Sequence, residues 1–377
     1  EEAQLCKQLG IDLVITDHHE CKDTLPEAIA VVDPHRPDGG YPHKNLSGVG
    51  VAFKLACALS GDQEAVLNEY ADMVCLGTVA DVMLLQGENR VFVSRGLELL
   101  RHTHRPGIAA LMKECGCQPE QVVFTSNCTH GLNIAIRSLV KPGDRVLISG
   151  FEHNAVTRPL HALGVQLRVA GRKLFDWEDT LTEFERALEG ADGAVFTHVS
   201  NVFGYILPVE QMARLCQERG IPFIMDAAQS AGTLPVSLEK LGADFIAMPG
   251  HKGLLGPQGT GLLLCKGGAE PLLYGGTGSF SRQQTMPEDL PDRLEAGTLN
   301  VPGYAGLWAG LRHIRKTGPD ALFRREHRLL RYCIQGLEKA GMQVYSGQHQ
   351  AATVSFRGDF DCEEMAELLG KKGIAVR

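Results

Sequence analysis

No stretch of this 377-residue chain is apolar for long enough to span a bilayer, and no signal peptide precedes its first strand-like run. A cytoplasmic protein without a membrane partner is therefore expected. The composition, 44% hydrophobic and 22% charged, excludes the disordered and fibrous classes. A formal net charge of -8 lacks the basic excess of a nonspecific nucleic-acid binder, which disfavours nucleic acid as a partner. Cysteine pairs at metal-binding spacing are missing too: Cys115 and Cys117 form a lone C-x-C with no second pair, which argues against zinc. The 11 cysteines are scattered and odd in number, as expected of free thiols rather than a disulfide framework. No Pro- or Ser-rich linker divides the chain, although its length allows two or three domains, each with its own core.

The most informative stretch that is present runs from Leu241 to Leu264. An apolar run, Phe245 to Met248, opens into Pro249-Gly250-His251-Lys252-Gly253 and continues through Gly256, Gly259 and Gly261 to a second apolar strand. Lys252 in such a glycine-rich turn is expected to be partly desolvated, which would favour the neutral amine that a Schiff base needs. A solitary loop lysine would simply be solvated. Upstream, however, the apolar strand Ile221 to Met225 delivers Asp226 at its C-terminal end. An amine to carry an aldehyde and a carboxylate to keep a pyridine nitrogen protonated is the pair that pyridoxal phosphate chemistry requires.

The surrounding chain alternates strand and helix with short connections, which predicts an α/β fold with a mostly parallel sheet wrapped by helices. Strand Gln121 to Phe124 leads through Cys128 and Thr129 into a helix. Small and hydroxyl side chains there serve either as a phosphate cradle or as a simple N-cap. His153 follows strand Arg145 to Ser149, and Asn201 follows strand Gly193 to Thr197; each is either a site residue or an ordinary turn residue.

The N-terminal part has a character of its own. The apolar run Ile11 to Ile15 ends in Thr16-Asp17-His18-His19, and Cys75 to Asp81 reads as a second strand end that adds a carboxylate. Together with Val32-Asp33-Pro34-His35-Arg36, Leu46 to Leu55 and Gly77 to Val82, this stretch resembles the DHH phosphoesterase domain of RecJ-type single-strand DNA exonucleases over about residues 1–114. The resemblance implies manganese or magnesium at His18 and Asp81, with Asp17 and His19 beside them. The family's earlier aspartate motifs and its DNA-holding domains are not found in this sequence. The site is therefore expected to bind metal weakly or not at all, and the segment to be a remnant without nuclease activity.

From about residue 119 a second resemblance covers the chain. Phe124 to Asn133, Glu152-His153-Asn154, His198 to Gly204, Asp226 to Gly232, Gly250-His251-Lys252 and Glu295 to Asn300 resemble, in order and spacing, class V aminotransferases of the cysteine desulfurase (NifS/SufS-like) type. That family implies a fold type I pyridoxal phosphate (PLP) enzyme, a homodimer that takes sulfur from L-cysteine, leaves L-alanine and passes the sulfur to an acceptor protein. By the same resemblance Lys252 holds the cofactor and moves protons, Asp226 pairs with the ring nitrogen, Gln229 reaches the ring hydroxyl and His153 stacks on the ring. Cys128, Thr129 and His251 bind the phosphate with Thr277 from the other subunit, and Asn201 faces the substrate. Position 128 departs from the hydroxyl residue usual in the family, which removes one donor to the phosphate.

The expected layout is a partial DHH domain at 1–114, a junction at 115–120, a PLP-binding large domain at 121–300 and a truncated small α+β domain at 301–377. The chain starts at Glu1 and stops at Arg377 after a strand-like Ile374 to Val376. In the resembled family a loop with the nucleophilic cysteine follows that point, so desulfuration is expected to be slow or absent, and a broken or artificially joined reading frame explains the composite better than a purposeful fusion. Selenocysteine is an alternative substrate. The alternative activities are a metal-dependent exonuclease and an inactive binding protein that keeps the PLP fold.

Overall fold

The computed structural model describes residues 2–21, 24–81, 83–101, 118–277 and 283–376. It divides into two compact units, Glu1–Arg105 and Pro106–Arg377. The expected junction at 115–120 and the segment Arg105 to Met112 lie largely outside the described residues.

In the first unit, helix α1 (Glu2–Gln8) is followed by β1 (Val14–Thr16), which pairs in parallel with β2 (Ala30–Val32). Three helices complete it: α2 (Gly48–Ser60), α3 (Gln63–Ala80) and α4 (Gly87–Arg101). Ser47 caps α2 by accepting the Gly50 N–H, and Gly61, at φ 72°, ends it in the left-handed conformation that glycine adopts without strain. The unit's core cluster is small: Leu46, Val51, Phe53, Val66, Val74 and Phe92, with Phe53 and Phe92 edge to face at 4.9 Å. Here the strand expected at Cys75 to Asp81 is corrected: those residues form the last turn of α3 and its cap. Asp62 opens that helix through the Ala65 N–H, and Val66, Ala71, Val74 and Cys75 are buried at helical spacing, so the run packs as a helix face.

The second unit is built on a seven-stranded sheet. After a short 3-10 turn (Pro119–Gln121), the chain runs β3 (Val122–Thr125), α5 (Cys128–Leu139), β4 (Arg145–Ser149), α6 (Asn154–Ala162), β5 (Gln166–Ala170) and α7 (Trp177–Ala187). It continues through β6 (Gly193–Thr197), α8 (Val209–Glu218), β7 (Phe223–Asp226), α9 (Leu238–Leu241), β8 (Phe245–Pro249) and β9 (Gly261–Cys265). The strand order is β3-β9-β8-β7-β6-β4-β5, and every pairing is parallel except the two made by β9. Strands β6 to β9 are buried at every residue, because helices cover both faces; their continuous apolar runs reflect this. One core cluster, holding Phe184, Phe196, Phe223 and Met225, takes alternate residues of these strands. The other, with Leu132, Ile136, Val195, Ile224 and Phe245, takes the rest.

Helices α10 (Val301–Thr317) and α11 (Pro319–Lys339), the antiparallel pair β10 (Gln343–Tyr345) and β11 (Ser355–Arg357), and α12 (Cys362–Lys371) follow. The expected strand at Ile374 to Val376 is absent, since these residues make no regular ladder in the described chain. Among the described residues no helix is long and apolar enough to cross a membrane.

Candidate active site

Parallel strands put their C-terminal ends, and whatever they carry, at one edge of the sheet. Asp226 closes β7 there with only 2% of its surface exposed. Its Oδ1 accepts the Ala228 N–H at 2.9 Å and the Cys128 thiol at 3.3 Å; among the described residues Oδ2 accepts nothing. Burial raises the Asp226 pKa, opposed by those two donors and by the nearby charges of Lys252 and His153.

Adjacent to β7, β8 pairs Ala247 with Asp226 and then turns through Gly250-His251-Lys252. The turn is tied down by Gly250 N–H to Thr260 O at 2.8 Å and Leu255 N–H to Lys252 O at 2.9 Å. It lies backbone to backbone on the loop that follows Asp226. A Cβ on Gly253 would sit 2.2 Å from Ala231 O, and one on Gly232, at φ +96°, 2.1 Å from Gly253 O. Glycine is required at both positions to bring the lysine's turn this close to the carboxylate's loop. The expected desolvation of Lys252 is not supplied by the chain: Lys252 and His251 are both exposed, because the glycines around them offer no side chains to cover them.

On β3's side, Asn127 caps α5 by accepting the His130 N–H at 2.9 Å, leaving the first-turn N–H groups of Cys128 and Thr129 without helical partners. Thr129 is exposed and Cys128 buried. The resemblance places the Cys128 side chain at the phosphate; here its thiol donates to Asp226 Oδ1, and its backbone N–H lies at the helix end.

After β4, His153 is the N-cap of α6, with Nδ1 accepting the Ala155 N–H at 3.0 Å. That bond fixes the proton of the neutral ring on Nε2. Beside it the enclosed carboxyl of Glu152 accepts from Ser149 Oγ and from Thr197 N–H at 2.9 Å, while Oε2 has no partner among the described residues. Burial pushes Glu152 up to about 8, against those two donors. Asn201 and Gln229 are half-buried in the turns after β6 and β7. Thr277 is half-buried as well, and residues 278–282 after it lie outside the described residues.

Three groups that stand in the resembled motifs are given no role in the reading from sequence. Glu152 is one, although it stands directly before His153. Glu295 accepts the Phe124 N–H at 2.6 Å and is pushed to about 8 by burial. His198, at the end of β6, is buried with Nδ1 unpartnered and is lowered to about 4 by burial. Two surface clefts, of about 530 and 380 Å³, lie elsewhere, beside Glu185 and Arg219 and beside Arg158 and Leu167; neither is lined by Asp226 or Lys252.

In the first unit, Asp17, His18 and His19 place one ligand atom each within 4.8 Å of one another. Asp17 Oδ1 is 2.8 Å from His19 Nδ1, and His18 Nε2 is 3.3 Å from Asp81 Oδ2, so the structure brings all four expected residues together. Two imidazoles and two carboxylates, already paired with each other, are a poor match for hard cations that take six or more oxygens.

The second unit's donor set does fit its implied cofactor. A buried carboxylate with one free oxygen suits a pyridinium, a primary amine suits an aldehyde, and a helix N-terminus suits a phosphate. On this sheet topology these groups define a PLP-dependent enzyme of fold type I. The chain belongs to the class-V aminotransferase family, whose model matches residues 105–377; the model of the DHH family N-terminal domain matches residues 1–78. Over 278 residues it is 33% identical to a relative from Pyrococcus abyssi described as a "Probable cysteine desulfurase", covering 68% of each chain. A relative of the same description from Methanothermobacter thermautotrophicus is 34% identical over 263 residues, and the chain spans 59% of that relative's length. The solved apo structure of a cysteine desulfurase from Thermococcus onnurineus superposes with a TM-score of 0.66 at 30% identity, covering 75% of this chain and 74% of its own.

Proposed function

We propose that this chain binds PLP on Lys252 and acts on L-cysteine, releasing its sulfur and leaving L-alanine, as a homodimer that hands sulfur to an acceptor protein. The observation that carries the reading is Asp226: a buried carboxylate with Oδ1 held by two donors and, among the described residues, none on Oδ2, on a loop packed against the turn that bears Lys252. Bound there, the cofactor supplies an electron sink at the substrate's α-carbon. Asp226 would keep the ring nitrogen protonated, and Lys252 would hold the cofactor's aldehyde and carry protons to and from the substrate. His153 presents its ring, with the Nε2 proton, to the cofactor's face. The N–H groups of Cys128 and Thr129, the Thr129 hydroxyl, His251 and Thr277 of the partner subunit hold the phosphate. Gln229 meets the ring hydroxyl and Asn201 the substrate.

Cleavage of the C–S bond needs a thiolate to take the sulfur as persulfide. Cys128, Cys216 and Cys265 are buried, and Cys333 and Cys362 lie on α11 and at the start of α12. None of these is assigned that role. The test is reconstitution with PLP followed by assay of alanine release from cysteine and from selenocysteine. Lys252→Ala should abolish both the absorbance of the lysine-linked cofactor and any alanine release. A spectrum that survives the substitution would overturn the assignment.

A further inference from the structure

We infer that Cys128 is a positioning residue for Asp226, its thiol proton holding Oδ1 so that Oδ2 is the oxygen presented to the cofactor's ring nitrogen. The inference rests on the PLP reading above and goes further, since it gives position 128 a task at the opposite end of the ring from the phosphate.

The geometry fixes the direction of the bond. Cys128 is the first residue of α5, 8% exposed, with Sγ 3.3 Å from Asp226 Oδ1, an ordinary separation for a sulfur donor. The thiol keeps its proton, because burial and the facing carboxylate both push its pKa well above the ordinary value. It is therefore the donor and Asp226 the acceptor. Ala228 N–H meets the same oxygen at 2.9 Å, so two donors converge on Oδ1 and rotation of the carboxyl would break both.

A donor on a carboxylate lowers its basicity. For Asp226 this matters because a more basic carboxylate would draw the shared proton off the pyridine nitrogen and weaken the ring as an electron sink. The other groups acting on Asp226 are Lys252 and, in its protonated form, His153, both of which favour its ionised form, and the enclosed carboxyl of Glu152, which feels its charge. Cys128 adds a neutral donor that keeps its effect when those groups change protonation. A hydroxyl at this position would make a shorter bond to the same oxygen, or turn to the phosphate; the thiol at 3.3 Å is committed to the carboxylate.

The experiment titrates the Asp226 carboxyl by carbon NMR in the full, unliganded chain labelled at aspartate, with the signal assigned through Asp226→Asn. Cys128→Ala removes the donor, and Cys128→Val removes it while filling its space. Both should raise the Asp226 titration by on the order of one pH unit, and Cys128→Ser should restore it to within a few tenths. Reconstitution followed by absorbance should show PLP dissociation constants rising about 3- to 10-fold in the Ala and Val variants, with Ser close to wild type. An Asp226 titration unmoved by Ala or Val overturns the inference. So does a Ser variant that behaves like Ala, which would mean that packing and not the donor is responsible. Failure of the wild-type chain to bind PLP would sink the cofactor reading alone, since the carboxyl titration is made without the cofactor.

Discussion

Each unit ends a parallel strand on an aspartate with a histidine close by, yet the two clusters live in different surroundings. In the first unit the strand is one of a pair only three residues long, and Asp17, His18 and His19 lie at its open end, His19 exposed. Their charges are met chiefly by one another, at 2.8 Å between His19 and Asp17 and 3.3 Å between His18 and Asp81. In the second unit the strand that ends on Asp226 is buried along its whole length in a seven-stranded sheet, and Glu152 and Glu295 are enclosed beside neighbouring strands. Burial, rather than residue type, sets chemical potential. Water screens the first cluster, whose members settle by pairing, whereas three carboxyls of the second are pushed upward in pKa and held by directed donors.

The contrast can be tested first through the cores beneath the two clusters, where the effect is largest. Phe196 is fully buried, edge to face with Phe184 at 4.9 Å, and Phe92 stands likewise against Phe53. Truncation of either to Ala should cost about 3–5 kcal/mol. Phe196→Ala should also abolish PLP uptake, because β6 flanks the strand that carries Asp226. Phe92→Ala should leave uptake intact. Denaturation followed by circular dichroism, which reads both units, and by tryptophan fluorescence, which reports on the second through Trp177 and Trp308, together with PLP titration, checks this pair. Loss of PLP uptake in Phe92→Ala would erase the distinction between the units.

What the sequence makes legible follows the same division. The all-buried strands of the second unit announce themselves as apolar runs with a polar residue at the end, so Asp226 and the Lys252 turn are readable before any coordinates. Glu152 is not, because its identity as an enclosed acid depends on Ser149 and the Thr197 N–H of a strand over forty residues away, which no local pattern encodes. The contact made by the Cys128 thiol is hidden for a related reason: a helix N-terminus points to a phosphate, whereas the thiol's partner is 98 residues distant. In the first unit, Cys75 to Asp81 is a short, mostly apolar run whose strand or helix character periodicity alone cannot decide; the cap at Asp62, thirteen residues earlier, settles it.

A smaller effect should appear in the pH dependence of stability. An acid whose folded pKa lies above its unfolded value keeps its proton in the folded chain while the unfolded chain gives it up. Folding therefore loses stability as pH rises from the ordinary 4.5 towards about 8, the folded value of Glu152, and the loss is complete above it. Glu152→Gln mimics the protonated acid, keeps an acceptor for Ser149 and Thr197, and should flatten this decline by on the order of a few kcal/mol. Denaturant titrations of the unliganded chain at several pH values between 4.5 and 8.5 measure it; an unaltered slope would show that Glu152 is ionised in the folded chain. Glu295 should contribute a decline of the same sign, so the Gln variant is not expected to be flat.

The smallest effect belongs to the exposed cluster. Hydrogen bonding to Asp17 raises the His19 pKa above its ordinary value, and the same bond leads the causes that lower Asp17. For the histidine, whose folded value is raised, the contribution to stability is present at low pH and lost as pH rises through that value. For the aspartate, whose folded value is lowered, it is present above the ordinary carboxylate range and lost as pH falls. The pair is thus complete only between the two. His19 is exposed, so water and salt screen the interaction, and the melting midpoint should not move measurably when Asp17→Asn removes it. The titration should move nonetheless: the His19 ring signal should fall back towards the ordinary histidine value in the variant. A melting midpoint that drops with Asp17→Asn would mean that water does not screen this pair, and the contrast between a screened cluster and a buried one would fail.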